Sequence, residues 1–141
     1  MIDNPTGGQL IKLLNDAIER QANNQLRRQG LTMVQVWVLL TLHDHPGNSC
    51  SFKELESILG VAQSTCAGIV NRLALKKYVV CYPDPQDRRA KHVRITPDGE
   101  RCCQEAEQDI RRLEKLMFQG FTREEEATLR SLLFRVFENI K

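Results

Sequence analysis

The side chains best suited to chemistry in this 141-residue chain are cations and hydrogen-bonding groups in its middle third. Arg88, Arg89 and Lys91 fall within four residues, directly after Asp87. Residues 50–96 contain eight Lys and Arg against four Asp and Glu, a local charge of +4 in a chain whose net charge is +2. A concentrated basic surface of this kind suits a polyanionic partner.

A second group of side chains precedes this basic segment and shares one predicted helix. It comprises Gln63, Ser64, Thr65, Gly68, Arg72 and Lys76. The first three are hydrogen-bonding residues at the start of the helix, the end that contacts base edges when a helix enters a major groove. Gly68, one turn further on, leaves room for close approach of a duplex, and the two cations suit phosphates. We predict that these six residues and the three cations near Asp87 contact nucleic acid.

The helix that carries those residues is predicted to be the second helix of a helix–turn–helix. The first one, helix three, is predicted from about Phe52 to Leu59, because Ser51 and Glu54 form an S-x-x-E capping box and Gly60 ends it. Helix four is then predicted over 63–77. Its inward positions are Val61, Cys66, Ile69, Val70 and Leu73.

After helix four the hydrophobic pattern changes to a period of two, which predicts a β-hairpin with the basic segment at its tip. Residues 78–82 are β-branched and aromatic, 83–87 are turn residues, and 92–95 alternate as a return strand. A cationic tip beside a recognition helix can insert an arginine into the minor groove. Asp87 is expected either to pair with an arginine or to form the turn.

Four longer helices complete a mostly α-helical prediction of six helices and one two-stranded hairpin. Helix one is predicted over 7–29, and helices two, five and six are predicted to follow Thr32, Thr96 and Thr122 as N-caps. Helix two is apolar on most of its faces. We therefore expect it to be buried rather than amphipathic.

The segment Asp84–Gly99 (DPQDRRAKHVRITPDG) resembles the wing signature of MarR-family regulators. The segment Leu31–Trp37, with its Leu-Thr pair and its Gln and Trp, resembles the second helix of that family. The resemblance covers nearly the whole chain and implies a winged helix–turn–helix fold. It matches Arg89 to the wing arginine of the family and Asp87 to its carboxylate partner. Gly68 departs from several relatives, which carry a large polar residue there, so the base specificity stays open.

The same resemblance implies a homodimer built from a single domain, 1–141. Helices in 7–29 and 97–141 would join two subunits, and the winged region 32–96 of each subunit would bind half of a pseudo-palindromic double-stranded operator. The apolar stripes on helices one, five and six fit this arrangement, because they are hard to bury within one small chain.

The resemblance further implies a transcriptional repressor that a small lipophilic or aromatic compound releases from DNA. Such a compound would bind where helices one, two and five meet the winged region, and Trp37, Leu40 and Thr41 are the candidates on helix two. Trp37 would alternatively belong to the core. No cofactor is expected. A cytoplasmic location is expected, because the five cysteines form no C-x-x-C pair, no apolar run has membrane-spanning length, and residues 1–8 lack a signal-peptide pattern.

Four other functions are weighed against this one. A winged helix can instead bind a protein or RNA, although the cationic hairpin tip favours duplex DNA. A thiol-based redox sensor would use Cys81 or the Cys102-Cys103 pair, and a metal sensor would draw on His43, His45 and Cys50 around a Pro-Gly turn. We expect no metal site. An enzyme is disfavoured because the chain has no Gly-rich phosphate loop, no H-E-x-x-H and no nucleophile elbow.

Overall fold

The fold is mostly helical, with its helices and hairpin in the predicted order. The computed structural model describes residues 3–141, including every side chain among them except those of Gln25 and Arg28; Met1 and Ile2, which belong to the predicted domain 1–141, lie outside this range. The helices are α1 (Gly7–Leu26), α2 (Met33–Asp44), α3 (Phe52–Leu59), α4 (Gln63–Leu75), α5 (Pro97–Met117) and α6 (Arg123–Ile140). The strands are β1 (Ser49–Ser51), β2 (Val79–Pro83) and β3 (Lys91–Ile95). Within residues 3–141 no single helix is long and apolar enough to cross a membrane, and only α3 and α4 taken together as a bent pair pass that length and composition test.

The three strands form one small antiparallel sheet in the order β1-β3-β2. β2 and β3 form the predicted hairpin, with Val79 opposite Ile95. The prediction of two strands is wrong by one, because β1 pairs with the other side of β3 and sets Cys50 opposite Val93. Its sequence, Ser-Cys-Ser, contains no β-branched or aromatic residue that would indicate a strand.

The core lies between α2, the inner faces of α3 and α4, and the sheet. Its most deeply buried side chains are Leu26, Val36, Val38, Leu39, Leu42, Leu55, Cys66, Val70, Leu73, Val79 and Val93. The predicted burial of α2 is therefore confirmed for Val36, Val38, Leu39 and Leu42. Among the apolar residues of α2 Trp37 is the exception, since half of it (50%) is exposed, and its assignment to the core is wrong.

Side-chain caps begin the helices where the sequence predicts. Ser51 Oγ accepts a hydrogen bond from the Glu54 N–H at 3.1 Å, and the Glu54 carboxylate accepts one from the Ser51 N–H at 3.2 Å. Thr6, Thr32 and Thr122 form the same reciprocal box at α1, α2 and α6. Such caps satisfy N–H groups that have no partner within the helix, so each start is determined locally.

Two helix ends differ from the prediction. α1 stops at Leu26 and passes through one 3-10 turn, Arg27–Gln29, before Gly30 takes a left-handed φ of 67°. α4 stops at Leu75, because Lys77 takes a φ of 65° and its N–H donates to the Ala74 carbonyl at 2.9 Å.

The first turn of α5 packs directly on the base of the hairpin through Gly99. A Cβ placed on Gly99 would overlap the carbonyl oxygen of Tyr78 and lie 2.7 Å from Cγ1 of Ile95. The Tyr78 carbonyl also accepts a hydrogen bond from the Thr96 N–H at 3.0 Å, so this backbone has little freedom to move away.

We predict that Gly99→Ala lowers the free energy of unfolding by about 3 kcal/mol, the cost of forcing backbone apart in a packed site. Equilibrium denaturation with urea measures the change. Gly8→Ala is the matched control, because a Cβ at Gly8 meets no atom within 4 Å. Equal stability of the Gly99→Ala and Gly8→Ala variants would contradict the packing described for the start of α5.

Candidate nucleic-acid interface

α3 and α4 form a helix–turn–helix in which the orientation of α4 is set by its buried side. The two helices meet at an angle of 107°. Cys66, Ile69, Val70 and Leu73 of α4 are buried, as predicted. Because helix positions are 100° apart, burial of this stripe leaves the opposite side of α4 facing outward.

The exposed start of α4 carries the three predicted hydrogen-bonding residues, Gln63, Ser64 and Thr65. The residue before them, Ala62, is the N-cap and has no side chain that can accept a hydrogen bond. The first N–H groups of α4 are therefore open to an outside acceptor, and the helix dipole favours an anion there.

Two further predicted residues lie along the same outward side. Arg72 is exposed, and Gly68 is partly exposed with no atom within 4 Å of a Cβ built on it. The absence of a side chain at position 68 thus opens a shallow gap in the outer surface of α4. A partner can approach the helix backbone closely at this gap.

Lys76, predicted to contact phosphates, is exposed and also has a partner within the chain. Its ammonium group donates to the carbonyl oxygen of Gly30, at the junction between α1 and α2. The end of α4 is thereby joined to a segment 46 residues earlier in the chain. The residues around position 76 do not predict this contact, because it depends on how the chain folds back to bring Gly30 beside Lys76.

The hairpin tip presents its cations on a loop that Asp87 shapes. The Asp87 side chain accepts a hydrogen bond from the Arg89 N–H at 3.0 Å, and its carbonyl accepts one from the Ala90 N–H at 3.0 Å. The sequence predicts that Asp87 either pairs with an arginine or forms the turn, and in the structure it forms the turn. Arg88, Arg89 and Lys91 are all exposed, and the ion pairs found among residues 3–141 involve none of the three.

A groove of about 540 Å³ separates the hairpin tip from α3 and the start of α4. Among its lining residues are Gln63 of α4 and both Arg89 and Lys91 of the hairpin, so it joins the two predicted contact regions. Lys53 of α3 also lines it, and sequence reasoning missed this residue. Lys53 follows the Ser51 cap, but only the three-dimensional pairing of β1 with β3 shows that it faces the hairpin.

The three histidines each pair with a carboxylate, and sequence reasoning missed all three pairs. His43 lies 2.6 Å from Glu100, His45 lies 3.0 Å from Glu54, and His92 lies 2.9 Å from Asp84. In the part of the chain that the structure describes, no three His, Cys, Asp or Glu residues come together in a group able to hold a metal ion.

Four of the five cysteines are buried, and Cys81 is exposed. A thiol sensor that uses the Cys102-Cys103 pair needs the pair exposed, and the structure buries both cysteines. Burial raises the pKa of Cys103 to about 12 and that of Cys50 to about 11. Since the thiolate is the reactive form, both groups stay unreactive near neutral pH.

The candidate effector residues occupy one side of α2. Trp37 is half exposed, whereas Leu40 and Thr41 are partly buried, with Leu40 packed against the core. Their spacing of three and four residues places them on neighbouring positions of the helix surface.

A large apolar surface lies at the other end of the chain, on α1, α5 and α6. α6 is 18 residues long and has no buried residue. Its apolar side chains and those of α1 and α5 surround a groove of about 550 Å³. The apolar lining residues are Ile11, Leu14, Ala17, Ile18, Leu113, Leu116, Met117, Phe118, Phe121, Leu129 and Leu133. Exposed apolar surface of this extent marks an interaction site.

This helix–turn–helix, followed by a basic β-hairpin, defines the chain as a winged helix–turn–helix protein. Comparison with known proteins gives its family. A model described as the MarR family matches residues 29–90. The chain is 31% identical to the multiple antibiotic resistance protein MarR of Salmonella typhimurium over 133 residues, which cover 92% of this chain and 89% of that protein. The chain belongs to the MarR family of transcriptional regulators.

Solved structures agree with this assignment. A mutant MarR of Escherichia coli complexed with operator DNA superposes with a TM-score of 0.84 and 28% identity, covering 92% of this chain and 91% of that one. The PcaV transcriptional regulator of Streptomyces coelicolor, in complex with its natural ligand, gives a TM-score of 0.88 at 25% identity, covering 100% and 99%. The predicted winged helix–turn–helix fold is confirmed.

We predict that Gly68→Ala weakens binding of duplex DNA by on the order of tenfold, because the added methyl group fills the gap on the outer side of α4. Folding stability should stay the same or rise slightly, since the methyl group meets no protein atom within 4 Å and alanine favours a helix. Fluorescence anisotropy with a labelled duplex and thermal unfolding separate the two effects. Unchanged DNA affinity would show that the duplex stays away from position 68.

Proposed function

We propose that this chain is a sequence-specific, homodimeric DNA-binding repressor, which a small lipophilic or aromatic effector releases from a pseudo-palindromic operator. One observation carries the proposal: the exposed start of α4 and the cationic hairpin tip border the same groove. The membership in a family of transcriptional regulators supports the DNA-binding repressor over a protein-binding or RNA-binding winged helix and over a thiol sensor.

In this proposal α4 is the recognition helix and the hairpin is the wing. Gln63, Ser64 and Thr65 contact base edges in the major groove, while Arg89 enters the adjacent minor groove. Arg72, Arg88 and Lys91 contact phosphates, and we add Lys53, because it lines the groove between the two elements. Lys76 stays among the proposed phosphate contacts, because it is exposed although its ammonium group also contacts the Gly30 carbonyl.

The second subunit covers the apolar groove of α1, α5 and α6. An 18-residue helix with no buried residue gains little stability from its own chain, so its apolar side must pack against another molecule. A second copy supplies matching apolar helices and places two wings and two recognition helices at half-sites about 34–36 Å apart. Regions 7–29 and 97–141 then form the dimer, and region 32–96 binds DNA.

The effector is proposed to bind beside Trp37, Leu40 and Thr41. The exposed indole of Trp37 is available to stack on an aromatic compound, and it lies on α2, the helix of the DNA-binding region that packs against α5 of the dimer-forming region. The relative PcaV is solved in complex with its natural ligand. We also propose that the protein is not an enzyme and that, as a DNA-bound repressor, it works in the cytoplasm.

We predict that Arg89→Ala weakens operator binding by on the order of tenfold or more and reduces the slope of log affinity against log salt by about one. The reason is the loss of an exposed cation that makes no ion pair within the described part of the chain. A gel shift on the region upstream of the chain's own gene, repeated at several salt concentrations, measures both quantities. Arg111→Ala, which removes one cation from α5, is the control and should bind as the parent does. An Arg89→Ala variant with the parent's affinity would remove the wing from the mechanism.

We predict that Leu133→Glu converts the dimer to monomers and abolishes tight operator binding, because it places a charge in the apolar groove. Sedimentation equilibrium measures the association. Ser131→Glu introduces the same charge on α6, two residues away and on the opposite side of the helix from Leu133, and should remain dimeric. A parent chain that is monomeric at micromolar concentration would refute the dimer.

A further inference from the structure

The side chains that line the groove between the wing and α3 carry no net formal charge. Its lining includes three cations, Lys53, Arg89 and Lys91, and also three carboxylates. The carboxylates are Glu56, Asp84 and Asp87. A duplex that contacts both α4 and the wing must cross this groove, so each carboxylate there opposes the approach of a phosphate.

One of these carboxylates has a titratable partner. Asp84 Oδ2 lies 2.9 Å from Nε2 of His92, and its Oδ1 accepts the Gln86 N–H at 2.8 Å. The hydrogen bonds from Gln86 and His92 hold the pKa of Asp84 below its ordinary value, so Asp84 remains ionised at every pH near neutrality. Protonation of His92 would therefore change the charge of the groove and its rim from zero to +1.

We propose that the Asp84–His92 pair sets the DNA affinity of the wing according to pH, restraining binding when His92 is neutral and favouring it when His92 is protonated. The proposal rests on the proposed DNA-binding function and adds a regulatory residue pair to it. Histidine is the side chain whose ordinary titration falls between about pH 5 and pH 8. Phosphates drawn to the groove favour the protonated form, so binding of DNA and of the proton reinforce each other.

Other groups lie beside His92 on the sheet. On the neighbouring strands it faces Ser51 of β1 and Tyr82 of β2, whose ring centre is 5.6 Å away. Arg94, on the same side of β3, stacks over Tyr82 at 5.2 Å. Asp84, in direct contact, and Arg94, two positions along the same side of β3, are thus the charged groups described beside His92.

The experiment measures operator affinity by fluorescence anisotropy at about pH 6 and pH 8, at fixed low salt, with a duplex selected from a random pool by the parent chain. A single charge acting on phosphates at these distances changes affinity by about three- to fivefold. We expect the parent to bind that much more tightly at the lower pH.

His92→Gln, which keeps a neutral hydrogen-bond donor, should lose the response. Asp84→Asn, which keeps an oxygen for the Gln86 N–H, should bind about three- to fivefold more tightly than the parent at about pH 8.

His45→Gln is the matched control, because His45 pairs with Glu54 at 3.0 Å and neither residue lines the groove. It should keep the pH response of the parent, and thermal unfolding should show that all three variants remain folded. A parent that binds its duplex equally at both pH values, or a His92→Gln variant that keeps the response, overturns the inference and leaves the DNA-binding function intact. A parent that selects no duplex at either pH overturns both.

Discussion

The interaction on which this molecule depends is the burial of one side of α4 against the core. Cys66, Ile69, Val70 and Leu73 cannot leave that core without exposing apolar surface, so the helix has no freedom to rotate about its axis. Its outward residues are fixed as a consequence. The polar start of the helix and the gap at Gly68 thus face solvent because the opposite side of the same helix is apolar.

The wing is positioned by a different kind of contact, made between backbones. The Tyr78 carbonyl accepts a hydrogen bond from the Thr96 N–H and leaves no room for a side chain at position 99. The base of the hairpin and the start of α5 are therefore held together at one point. α5 leads from that point to the apolar groove that we assign to the dimer. One helix, α5, consequently leads from the base of the hairpin to the apolar groove where we propose that a second subunit packs.

Local signals account for what the sequence predicts well. The starts of several helices are predicted by their Thr and Ser caps, and the inner side of α4 is predicted by the spacing of its apolar residues. The basic hairpin tip is predicted by three cations within four residues. What it misses depends on residues far apart in the chain. β1 is recognisable only once β3 lies beside it, and Lys76 turns to a carbonyl 46 residues earlier. Trp37 is exposed although its neighbours Val36 and Val38 are buried. The His92–Asp84 contact requires the closed hairpin, which no spacing rule describes.

The open gap at Gly68 has a consequence for how such a regulator diversifies. Since a Cβ introduced there meets no atom of the protein within 4 Å, alanine at this position is free of the packing constraints that hold its buried neighbours. In the DNA complex that we propose, the added methyl group would face the bases. If α4 is the recognition helix, as we propose, a change of DNA preference at this position is thereby separated from a change of stability.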